Sequence, residues 1–271
     1  MSFDQSAIKE LKRSEEVKHV SDQLQDTFVP AAAVPSSVSI ESLEQFQAGR
    51  VRFRGTMTTS VIAEYAAYVL EQECKECFVD MEGMTATTFF NLGDVLNPGH
   101  GDHKAVLCLS KTSAFKELLS MNGCKVAQKT LAEWLEDWRD FITSHDQDGQ
   151  LLPMTKAIAA IRRITIKASA QSTHSDSDFS STRSAMEQVE AQMAERQPSK
   201  FFFKCVPYEG LKEREFELRL SVATGGEKPM LTLRIIRLEK QNEDIALEFK
   251  DTLTNALDDT PVRIGKFALG S

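Results

Sequence analysis

The stretch FFFKCVPYEGLKEREFELRLSVATGGEKPMLTLRIIRLE, residues 201–239, decides the fold. Three of its runs, 201–209, 216–224 and 230–239, are rich in the aromatic and branched residues that suit a pleated, half-buried surface. Thr224-Gly225-Gly226-Glu227 between the last two is a hairpin signal, because glycine enters the positive-φ region that tight hairpin turns require. The stretch therefore predicts a β-meander. An amphipathic helix, NEDIALEFKDTLTNAL (242–257), and a short strand, PVRIGKF (261–267), follow it.

Upstream, helices and strands alternate without a strict βαβ rhythm. KTLAEWLEDWRDFI (129–142) places Leu131, Trp134, Leu135, Trp138, Phe141 and Ile142 on one helical face, the strongest amphipathic signal in the chain. TSAFKELLSMNG (112–123) reads as a helix that stops at Asn122-Gly123, and MTKAIAAIRRI (154–164) as another. Strands are predicted at CFVDME (77–82), TATTFFNL (85–92) with a turn at Gly83, KAVLCLS (104–110) and ITIKASAQ (164–171). Val51, Phe53, Gly55 and Met57 alternate with Arg52, Arg54, Thr56 and Thr58, which is a period-two strand. Ser60 then stands as the cap of a helix over 61–74. Residues 4–26 read as a long charged helix with a thin apolar stripe, residues 28–35 as extended between their prolines, and 39–46 as a short helix. The sum predicts an α+β fold: a mixed, largely antiparallel sheet with a C-terminal meander and packed amphipathic helices. An N-terminal helix and arm, 1–48, precede an α+β domain, 49–271, with a possible further boundary in the Ser-rich stretch 169–183.

Composition narrows function mainly by exclusion. The chain has 271 residues, 41% hydrophobic and 27% charged, with a net charge of −8. That balance disfavours a protein whose whole surface coats nucleic acid, but permits a local basic groove. No apolar run reaches the roughly 18 residues of a membrane span, and the charged N-terminus lacks the apolar stretch of a signal peptide, so a cytoplasmic location with no membrane partner is expected. Five cysteines in such a chain read as reduced thiols.

Candidate chemistry is sparse. Cys74 and Cys77 form a CxxC, and with His100 and His103 they supply a ligand set of the kind that suits tetrahedral zinc, although the spacing is not that of a finger; two partly buried thiols are the simpler reading. No other cofactor is implied. Asp102-His103 offers a base beside an orienting carboxylate, but no nucleophile motif accompanies it, so an enzyme is the less favoured reading. Arg52, Arg54, Arg162, Arg163, Lys167, Arg219, Arg234 and Arg237 interleave with apolar residues. On strands they could form one positive face, with Phe201, Phe202 and Phe203 as stacking surface. Arg52, Arg54, Trp134, Trp138, Arg234 and Arg237 are the residues expected at an interface, since Trp and Arg anchor interfaces, although the two Trp read first as core.

The segments GDHKAVLCLS (101–110), AEWLEDW (132–138), SDSDFSSTRSAMEQVEA (175–191) and 201–253 resemble the YfdQ-like family of phage and prophage proteins, a domain of unknown function. The resemblance runs from about Val51 to Phe267 and transfers no catalytic residues. It implies a non-structural phage accessory protein of the bacterial host cytoplasm, binding a host or phage protein in counter-defence or in control of host nucleic-acid enzymes. A nucleic-acid-binding accessory of phage replication or recombination is the alternative, and a homo-oligomer built through the N-terminal helix is a further expectation.

Overall fold

The computed structural model describes residues 5–25, 44–73, 75–164, 198–223 and 229–268. The chain divides into two compact units, 1–53 and 54–271. The first holds helix α1, Gln5–Gln25, whose Ile8, Leu11 and Val17 are exposed, and a 3₁₀ turn at Glu44–Phe46. The expected extended segment 28–35 lies outside the described residues, as do the expected strand from 165 onward, the Ser-rich stretch and the turn 224–228.

The second unit is α+β, with two mostly antiparallel sheets. The five-stranded sheet contains β1 (Gly55–Thr59), β2 (Glu76–Asp80), β3 (Thr85–Phe89), β4 (His103–Cys108) and β11 (Val262–Ile264), in the order β1-β4-β3-β2-β11. Its two outer pairs, β1 with β4 and β11 with β2, are parallel. The six-stranded sheet is antiparallel throughout, with the order β5-β10-β9-β8-β6-β7. Its members are β5 (Lys125–Ala127), β6 (Ile142–His145), β7 (Leu151–Leu152), β8 (Lys200–Cys205), β9 (Arg214–Ala223) and β10 (Met230–Ile235). The meander β8-β9-β10 is the one expected from residues 201–239.

Helices cover one face of each sheet. Helix α2 (Ile62–Leu70) lies on β1 and β4, and α6 (Leu238–Ala256) leans on α2 and β11. Helices α3 (Ser113–Met121), α4 (Gln128–Asp137) and α5 (Met154–Arg162) cover the inner face of the six-stranded sheet. One continuous core joins these layers, since alternate residues Phe201, Phe203, Phe216, Leu218, Leu231 and Leu233 all turn inward to meet the helices. Phe115 of α3 stacks on Phe216 at 5.3 Å, and Trp134 of α4 on Phe203 at 5.9 Å.

Several expectations shift in detail. The alternation from Val51 becomes strand only from Gly55, where pairing with β4 begins. Ser60 does not cap α2; Thr59 Oγ1 accepts the Val61 N–H instead. The helix around the two Trp ends at Asp137 rather than Ile142, because Ile142 is taken by pairing with Phe203 in the sheet. Helix α6 begins four residues ahead of the expected Asn242, behind an Arg237 with φ 55°. The β2–β3 turn falls at the expected Gly83, with the positive φ on Met84, and a Cβ on Gly83 would displace the Asp80 carboxylate.

Candidate functional site

Strand alternation places the candidate residues as firmly as the core. With Phe201, Phe203 and Cys205 pointing inward, Lys200, Phe202 and Lys204 must point out. The same logic turns Glu215, Glu217, Arg219 and Ser221 outward from β9, and Thr232 and Arg234 from β10. The start of α6 borders this outer face, with Lys240 and Gln241 beside Phe202, Glu215 and Glu217.

Register then aligns these residues in rows across the strands. His145 on β6 opposes Lys200 on β8, Lys200 opposes Arg219 on β9, and Arg219 opposes Arg234 on β10. Three strand spacings of about 4.8 Å make this row about 14 Å long, and Lys200, Arg219 and Arg234 are its cationic members. Lys200 pairs with Glu217 at 2.9 Å. Arg219 and Arg234 are exposed, and neither has an ion pair or hydrogen bond among the described residues. Like charges set directly opposite in a ladder destabilise it, so the fold carries this pair at a cost. The adjoining row is Thr143, Phe202 and Glu217, with the Ile236 N–H donating to the Glu217 carbonyl. The Phe202 and His145 rings pack in a T-shaped contact at 4.9 Å.

Beside Phe202 the sheet and the start of α6 enclose a cleft of about 540 Å³. It is lined by Phe202, Glu215, Glu217, Ile236, Arg237, Lys240 and Gln241. Arg237 holds left-handed backbone, φ 55° and ψ 42°, at the helix start. Such a conformation costs a side chain other than glycine about 1–2 kcal/mol, and outliers of this kind gather at binding sites. Lys240 is paired with Asp244 at 2.9 Å, which holds its proton above the ordinary lysine range.

The remaining candidates fall elsewhere. Arg52 is half-buried in the first compact unit and Arg54 is exposed just ahead of β1 in the second. Trp134 is core, its indole N–H donating to Glu117 Oε1 at 3.1 Å, and Trp138 is half-buried against Phe203 and Phe141. Of the three phenylalanines expected as stacking surface, only Phe202 faces outward.

The CxxC and His pair is only partly described, since Cys74 lies outside the described residues. Cys77 is fully buried on β2, and Tyr65 of α2 reaches both its Sγ, at 3.7 Å, and Thr88 Oγ1, at 2.6 Å. Burial raises the Cys77 thiol, which keeps it protonated and unreactive. His100 is exposed, and no group of three or more metal-ligating side chains occurs among the described residues. Asp102 and His103 stand at the start of β4, an interior strand of the same sheet. Asn91 ties this corner, donating to Asp102 Oδ1 at 2.9 Å and accepting the His103 N–H at 3.0 Å. His103 Nε2 lies 3.3 Å from the Tyr68 hydroxyl, with its ring on Phe90 at 4.7 Å. Desolvation lowers its pKa, partly offset by the Asp102 charge. This is a hydrogen-bonded corner that fixes the β3–β4 connection, with Asn91 as its centre.

The sequence matches the DUF2303 family, described as an uncharacterized conserved protein, over residues 2–267. The chain belongs to that family. No curated protein and no solved structure matched the chain. Among the described residues, no helix of this DUF2303 protein is long and apolar enough to cross a membrane.

Proposed function

We propose that this DUF2303 protein is a phage-encoded, non-structural accessory protein of the host cytoplasm that works by binding, and that its six-stranded sheet holds a single strand of nucleic acid. The observation that carries the reading is the Arg219–Arg234 pair, two like charges directly opposite with no acidic partner among the described residues. A phosphate between them removes the repulsion and takes two forked donors, the geometry that favours arginine over lysine for phosphate. Lys200 and His145 extend the row, and Phe202 beside it offers a face on which a base can stack. A flat sheet face suits an unpaired strand, whose bases are open to such stacking.

Fluorescence anisotropy with a labelled 30-nucleotide DNA strand tests this across a salt series. Binding should weaken steeply with salt, by about 0.7 log units per log unit of salt for each phosphate contacted. Arg219→Glu with Arg234→Glu should abolish it. Equal binding by that double variant, or none by the wild type at low salt, would refute the reading.

A protein partner is the second reading, favoured by the tip of the β3–β4 connection. Val95 and Leu96 are 99% and 89% exposed there. The tip is ordered, since Asp94 Oδ1 accepts the N–H groups of Leu96 and Asn97 at 2.8 and 2.7 Å. Val95→Ser with Leu96→Ser should release a partner captured from nuclease-treated bacterial lysate if this tip is the contact; retention of that partner by the variant would exclude the tip.

A further inference from the structure

We infer that the cleft beside Phe202 is a nucleobase subsite selective for bases bearing an exocyclic amino group; the inference rests on the nucleic-acid reading above and makes it chemically specific. The cleft lies beside the cationic row, since two of its lining residues share strands with members of the row. Phe202 and Glu217 lie two residues along their strands from Lys200 and Arg219, a step of about 7 Å and within one nucleotide's reach. A strand whose phosphates follow the row can therefore turn one base into the cleft.

The lining then decides which base. Phe202 supplies an aromatic face and Ile236 an apolar edge, which any base satisfies. Glu215 and Glu217 line the cleft, and a carboxylate can only accept hydrogen bonds. Cytosine and adenine present an amino donor, at N4 and N6, where thymine presents a carbonyl acceptor. A carboxylate welcomes the first and repels the second. Glu217 gives Oε1 to Lys200, which leaves Oε2 for a ligand. Arg237 lines the same cleft and can take the phosphate of the inserted nucleotide. Two acids and two bases thus line one cleft, a balance that fits a ligand carrying both amino donors and an anionic group.

The test compares oligo-dC with oligo-dT of equal length by anisotropy at fixed salt and pH 7.5, because the two pyrimidines differ little in stacking. The wild type should hold dC about 10-fold more tightly than dT, and Glu215→Gln or Glu217→Gln should bring the ratio close to one. Glu215→Gln breaks no ion pair among the described residues, so it reports even if Glu217→Gln disturbs Lys200. Equal affinities for dC and dT in the wild type, with the salt slope intact, would overturn the base subsite and leave the nucleic-acid reading standing. A dC preference unchanged in both variants would overturn it as well. No binding to either oligonucleotide would overturn both.

Discussion

Replacing Arg234 by Gln should stabilise the fold at low salt while weakening nucleic-acid binding, because the residue faces a like charge. Opposed residues in an antiparallel pair bring Cβ atoms to about 5 Å, and the two flexible guanidinium groups can splay to about 5–7 Å apart. At that separation in water the repulsion is about 0.6–0.8 kcal/mol. Gln keeps most of the stem, so removal of the charge is the main change. Salt decides whether the effect is electrostatic. The screening length is about 30 Å at 0.01 M and about 3 Å at 1 M, so the gain should vanish in concentrated salt. Urea unfolding followed by the fluorescence of the core residue Trp134 measures this at both salt levels. A double-mutant cycle with Arg219→Gln isolates the pair: once Arg219 is Gln, Arg234→Gln adds nothing, and the coupling energy should equal the gain from Arg234→Gln alone. A loss of stability on Arg234→Gln at low salt, or strict additivity in the cycle, would mean that the guanidinium groups do not face each other and would refute the reasoning.

Arg237→Gly should raise stability by up to about 1 kcal/mol, since glycine enters left-handed backbone without the steric penalty, yet lower DNA affinity; paired urea and anisotropy measurements check the opposite signs, and a destabilised variant would contradict them. Pulsed iodoacetamide labelling read by peptide mass spectrometry should modify the exposed Cys108 and Cys124 in the native protein. It should reach Cys77 and Cys205 only in denaturant, since burial raises both thiols, Cys205 to about 12. Acid should act through His103, whose pKa desolvation lowers from 6.5 in the fold. Below the unfolded value the unfolded chain takes up the proton more readily, so stability falls as pH drops from about 6.5 toward the lowered folded value; His103→Gln should flatten that limb of a pH series of unfolding midpoints.

What the sequence could reveal follows from how local each determinant is. The meander was legible because its strands are consecutive in the chain and each run is rich in aromatic and branched residues. The inward and outward sets were also legible in principle: in FFFKC, alternation alone assigns Phe202 to one face and Phe201 and Phe203 to the other. The division into two sheets was not, because β1 with β4 and β2 with β11 are parallel pairs whose partners lie far apart in the chain. Strands β5 and β6 were hidden for another reason. The short β5 stands directly before α4, and Ile142 carries on the apolar spacing of that helix; only pairing with β10 and β8 makes these residues strand. The cationic row lies between these cases. Arg219 and Arg234 are visible singly, but their opposition depends on the pairing of Met230 with Ala223, a matter of register set by tertiary packing. The cleft needed still more, since Arg237 enters it through left-handed backbone that no residue type there announces.

A chain of net charge −8 that binds a polyanion must do so by local contact against its long-range field, and the kinetics should carry the mark. Proteins steered electrostatically to nucleic acid associate at up to about 10⁸–10⁹ M⁻¹s⁻¹, with rates that fall steeply as salt rises. Here, beyond about 10 Å at 0.1 M salt, a DNA strand meets only a screened and on balance repulsive field. Within that distance it meets Lys200, Arg219 and Arg234 as individual charges. Association should therefore be unsteered, about 10⁵–10⁶ M⁻¹s⁻¹, and nearly independent of salt. The steep salt dependence of affinity must then reside in dissociation, where the contacts of the row are broken and counterions return to the phosphates. Stopped-flow mixing of labelled oligo-dC with the full chain separates the two rates. An association rate that climbs several-fold between 0.2 M and 0.05 M salt would place the governing charge in a wide basic surface rather than in one row on one sheet.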